Sequence, residues 1–164
     1  FMNQFEPHQF RSALANLLSA QQGLLTTLDA RIQDEREALN NRQSEALFKL
    51  ANEKQTLMAD LEKYLQQSKT VVEHLKTQMP QASTREIFDW CDPTGALDQL
   101  RLEVMTLTDA CVSKNQHNGI QVRRQAHQVH RALTTLRGED TQMTGYSAKG
   151  ENFQGHKARS LGKA

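Results

Sequence analysis

His127 and His130 stand three residues apart in "RRQAHQVHRALTTLRG". On a helix that spacing puts two imidazoles on one side and supplies half of a zinc site. Nothing in the sequence supplies the other half. There is no HExxH, no Cys-x-x-Cys, and no Glu-x-x-His pair of the kind that builds a di-iron four-helix site. A Gly-rich phosphate loop and a nucleophile elbow are absent too. The two histidines therefore read as exposed residues beside an apolar seam. No cofactor, no metal and no enzymatic activity are expected. The two cysteines, Cys91 and Cys111, suit free thiols in a reducing compartment better than a disulfide. Cys111 falls on an apolar stripe and reads as a small core residue.

Two polar features lie close by. The first is a basic strip of Arg123, Arg124, His127, His130, Arg131 and Arg137, which could meet RNA or an acidic partner. Net charge is only +1, so bulk charge implies no nucleic acid, and no aromatic residues interleave to stack bases. The plainer reading is a solvated helix face, with cations favourably placed near a helix C-terminus. The second feature is "NQHNGIQV", Asn115 to Val122. Asn-Gly suggests a hairpin turn, but no strand pattern flanks it and the apolar spacing keeps one phase on both sides. A continuous helix is therefore expected, with Asn118 on its inner face. Asn115, Asn118 and Gly119 read as a polar notch that fixes helix register; the alternative is a polar contact for a partner.

These residues sit within a pattern of long amphipathic helices. Leu14, Leu17, Leu18, Leu24, Leu25, Leu28, Ile32 and Leu39 share one face of a helix from about His8 to Leu39. Asn40 and Asn41 then offer a turn and a new N-cap. A second helix, 42–78, carries Leu47, Leu50, Lys54, Leu57, Leu61, Leu65, Val72, Leu75 and Met79, with Phe48 and Met58 widening the stripe. Ser83 and Glu86 have capping-box spacing, which predicts a short helix in "STREIFDWC" bearing Ile87, Phe88 and Trp90. Asp92-Pro93 opens the third long helix as N-cap and first helical residue. It runs to about Arg137, with Gly138 as C-cap. The three long helices would span roughly 48, 55 and 66 Å. The first is the shortest, so part of the groove between the other two should lie uncovered and the last turns of the third should overhang. Val122, Ala126, Val129, Leu133 and Leu136 lie in those turns. They read either as core or as a site for a partner helix.

The expected fold is all-α. Three long antiparallel helices and one short connecting helix form a bundle over 8–138, and a Gly-containing tail covers 139–164. That tail has few large apolar residues and its composition predicts mobility. The 164 residues suffice for one domain. No apolar run reaches membrane-spanning length and no signal-peptide run opens the chain. A cytoplasmic protein without direct membrane insertion, monomeric or weakly dimeric, is expected.

"EREALNNRQSEALFKLANEKQTLMADL", then "NQHNGIQV", "ALTTLRG" and "TGYSAKG" together resemble the FlgN-type flagellar export chaperones. The matching features are Lys54 followed by leucines, Asn-x-x-Asn-Gly inside a long helix, and Tyr146 before Gly150 in the tail. The resemblance covers about Leu14 to Gly150. It implies a non-enzymatic chaperone of flagellar type III export that binds the C-terminal helices of hook-associated proteins 1 and 3. It implies further contacts with the export gate and the export ATPase. Carried over by position, clients would bind at Val122, Ala126, Val129, Leu133 and Leu136, and Tyr146 would dock to the gate. The competing readings are a self-associating structural bundle and a regulatory or nucleic-acid binder using the strip from Arg123 to Arg137.

Overall fold

The computed structural model describes residues 6–138. Among them are four helices and no strand: α1 (Pro7–Asn40), α2 (Ser44–Gln78), α3 (Thr84–Cys91) and α4 (Ala96–Leu136). The chain divides into two compact units, Phe1–Gly119 and Ile120–Ala164. The division falls inside α4, ahead of the boundary after Gly138 that composition suggests. "NQHNGIQV" is helical throughout, as its unbroken apolar phase requires.

In the first unit the core is made where the apolar stripes meet. Leu14, Leu25 and Ile32 of α1, Leu75 of α2 and Ile87 of α3 are at most 2% exposed, and each leucine so buried contributes about 1.5–3 kcal/mol. Polar contacts fix the directions. Gln21 of α1 donates to the Tyr64 carbonyl and Ser68 of α2, while Glu35 pairs with Lys54; as one helix ascends in sequence the other descends. Along α1 the partners from the following chain ascend together: Arg11 with Asp92, Leu25 with Cys111 and Ile32 with Asn118.

Three local expectations change. Phe48 and Met58 do not widen the core stripe but stand 74% and 44% exposed. The turn after α1 is a Schellman arrangement. In it Arg42 takes positive φ and the Gln43 N–H donates to the Ala38 carbonyl at 2.9 Å; the N-cap of α2 is Gln43, with no side-chain cap, and not an asparagine. The third correction concerns the start of α4, which begins at Ala96 and not at Pro93. A turn intervenes, closed by the Gly95 N–H on the Asp92 carbonyl at 3.1 Å, with Gly95 at φ +79.

Asp92 still caps the helix, from further back. Its carboxylate accepts from the Leu97 N–H at 3.1 Å and from both the hydroxyl and the N–H of Thr94. The Thr94 hydroxyl is the main cause that holds this carboxyl below the usual carboxylate range; the Leu97 and Thr94 N–H groups and Arg11 assist, against burial. The folded state therefore binds this proton less tightly than the unfolded state. The resulting stabilisation is present above about pH 4 and is lost as pH falls through the folded-state value. Asp92→Asn should flatten the fall in urea midpoint below pH 4, relative to the native chain.

Candidate helix-docking sites

Two sites emerge, one in each unit. In the first unit, the apolar stripe of each long helix is interrupted by polar residues that keep its three-and-four spacing. Glu35 lies between Ile32 and Leu39, Lys54 between Leu50 and Leu57, and Asn115 and Asn118 between Cys111 and Val122. These interruptions meet. Lys54 Nζ lies 2.8 Å from Glu35 Oε2 and donates to Asn115 Oδ1 at 2.6 Å. Asn118 Nδ2 donates to Glu35 Oε2 at 2.9 Å and to the Ile32 carbonyl at 2.8 Å. Asn118 is 2% exposed, Glu35 8% and Lys54 9%. Buried groups of this kind are tolerated only when hydrogen-bonded, and here each finds a partner on another helix. Asn115 and Asn118 are thus engaged inside the unit.

Sequence reasoning placed the two asparagines and Lys54 but missed Glu35, which sits in the charged run Asp34 to Glu37. Its signal was phase alone: of that run, only position 35 falls on the stripe of Leu28, Ile32 and Leu39. Gly119, next to this layer, has nothing within 4 Å of where a Cβ would stand. Packing does not demand it, and a helix-interior glycine costs about 0.5–1 kcal/mol relative to alanine. Gly119→Ala should raise unfolding free energy by that amount in chemical denaturation.

The thiols are inert by environment. Burial, aided by the Asp92 charge, pushes the Cys91 thiol up to about 11. Burial also raises Cys111, with Asp29 adding and Lys114 opposing. Neither holds much thiolate at neutral pH.

In the second unit, described over 120–138, Val122, Ala126, Val129, Leu133 and Leu136 follow one another at four-three-four-three spacing, a single stripe along the helix. All five are exposed, Val129 at 60% and Leu136 at 83%. Arg123, Arg124, His127, His130, Arg131 and Arg137 are exposed on the same segment. No group of three metal-ligating side chains occurs among the described residues. The helix ends with Gly138 at φ +71, its N–H on the Thr135 carbonyl at 3.1 Å. Tyr146 lies outside the described residues. No described helix is long and apolar enough to cross a membrane.

An all-α chain with a solvated apolar helix stripe is a protein of helix–helix contacts. Residues 10–153 match the FlgN protein family, and the chain belongs to that family, one of flagellar export chaperones. Neither a curated protein nor a solved structure matches the chain.

Proposed function

We propose that this chain is a cytoplasmic chaperone for the C-terminal helical regions of hook-associated proteins 1 and 3, preventing their premature assembly and delivering them to the flagellar type III export gate. In this reading 8–138 is an antiparallel bundle of three long helices with one short connecting helix, and 139–164 is its tail. Clients dock on Val122, Ala126, Val129, Leu133 and Leu136, and Tyr146 contacts the gate. The exposure of that five-residue stripe carries the reading. An apolar stripe left in solvent is the surface an amphipathic helix adds to. Tails that polymerise as helices outside the cell present just such a face, and masking it prevents early association. Ordering a client on the stripe would cost about 2–5 kcal/mol, which limits affinity and favours release at the gate.

Calorimetric titration with C-terminal peptides of the two hook-associated proteins tests this. Saturable binding is expected, weakened in Val129→Asp/Leu133→Asp. Each apolar side chain withdrawn from water is worth about 1.5–3 kcal/mol, so losing two corresponds to more than about a hundredfold. The variant must stay helical by circular dichroism. Undiminished binding in the variant would move the client off this stripe. No binding of either peptide would leave the self-associating bundle as the better account.

A further inference from the structure

The apolar stripe within residues 120–138 has two unlike borders. Advancing Val122, Ala126, Val129, Leu133 and Leu136 by one position each gives Arg123, His127, His130, Thr134 and Arg137. Moving each back by one gives Gln121, Gln125, Gln128, Ala132 and Thr135. At about 100° per residue these are the two rows that flank the stripe, one basic and one uncharged. Residues 120–138 contain no Asp or Glu. Arg123, His130 and Arg137 recur at every seventh position, about 10 Å apart along the helix, and all three are exposed. None of them has an ion-pair partner among the described residues.

The helix macrodipole accounts for only part of the basic row. Its attraction for cations fades beyond the last turn. Arg137 follows directly on Leu136, the last residue of α4, but Arg123 stands more than three turns earlier. Nor is the segment built for a lipid surface. Its stripe spans about 40° either side of its centre, the narrow seam of a helix pair and not a broad apolar face. Residues 120–138 include no Trp or Phe, which interfacial helices use to seat themselves among headgroups.

We propose that the stripe selects an amphipathic helix carrying Asp or Glu along one side of its apolar face. This rests on the reading above, that the stripe docks a partner helix, and specifies which helix it accepts. In paired helices the residues bordering the seam choose the partner. A helix with a carboxylate at every seventh position meets Arg123, His130 and Arg137 along one border. Its other border packs on the glutamine row, where no charge is needed. A basic helix of equal apolar area is rejected by the same row, because like charges then face each other across the seam. A second copy of the stripe brings no carboxylate to the row, so the row favours a different chain.

Two synthetic helical peptides, each about three heptads long, test the selection. Both carry leucine at the seam positions and glutamine on one border; the other border bears Glu in the first peptide and Lys in the second. Fluorescence anisotropy with the full chain at about 50 mM salt should show the Glu peptide bound about tenfold or more tighter than the Lys peptide, with the gap narrowing at about 500 mM. Arg123→Glu/His130→Glu should invert the preference while leaving the circular dichroism spectrum unchanged. Equal binding of the two peptides would overturn the proposal and leave a docking stripe chosen by apolar contact alone. Binding of neither peptide overturns it as well, and titration with the hook-associated peptides then decides whether the client reading falls with it. Vesicles about one-third phosphatidylserine that capture the native chain but not the double variant would assign the row to a lipid surface, which also overturns the proposal.

Discussion

Lys54→Met should lower the unfolding free energy by about 3 kcal/mol or more, since removing one member of a buried ion pair strands the other. The expectation rests on the surroundings of Glu35. Its side chain is 10% exposed and that of Lys54 is 11% exposed, with 2.8 Å between them. Without the ammonium, Glu35 keeps only the Asn118 amide as a donor among the described residues, and Asn115 Oδ1 loses its bond from Lys54. Glu35 is only 8% exposed, so water replaces the lost donor poorly. Glu35→Leu combined with Lys54→Met removes both charges together. It should lie within about 1–2 kcal/mol of the native chain, the remainder reflecting the unsatisfied asparagines. The double-mutant cycle in urea measures the coupling directly. A single-variant loss below about 1 kcal/mol would mean that the pair is solvated and that the layer does not close as described.

This layer shows what could be read in the residues beforehand and what could not. The helices were legible because leucine, isoleucine and valine recur at three and four residues for tens of positions. Even the continuity of α4 through Asn115 to Val122 followed from phase, against the local preference of Asn-Gly for a turn. The Ser83–Glu86 capping box was legible because both halves of it are local. What sequence leaves open is which interrupted stripe faces which. Glu35, Lys54 and Asn118 are each unremarkable alone, and only the packing of α1 against α2 and α4 makes them one network. The same limit explains Phe48 and Met58. Apolar type placed them in the core, but their phase on α2 turns them to solvent, where burial depends on a neighbour the helix itself does not specify. The start of α4 was misplaced because Asp92 and Pro93 fit an N-cap. The left-handed Gly95 and the reach of the Asp92 carboxylate to Leu97 move the helix three residues on. Between Val122 and Leu136 the stripe was visible, yet core and docking face have the same pattern. In the structure the five residues are exposed, which the pattern by itself does not specify.

Ile87→Ala should cost about 3 kcal/mol, by withdrawing buried methyl groups and leaving a cavity that neighbours refill only in part. The helix it belongs to has eight residues, too few to persist by its own hydrogen bonds. Two things hold it. One is local: the Ser83 hydroxyl accepts from the Glu86 N–H at 3.2 Å, and the Glu86 carboxylate accepts from the Ser83 N–H at 2.7 Å. The other is tertiary: Ile87 is 0% exposed and Phe88 3%. Ser83→Ala, which removes a cap, should cost about 1 kcal/mol. The ordering of the two variants is therefore the informative result. If Ile87→Ala costs clearly more, α3 is held in place by the side chains it buries, and the cap only trims its first turn. If Ile87→Ala and Ser83→Ala cost the same, Ile87 is replaceable and α3 is positioned by its chain connections to α2 and α4.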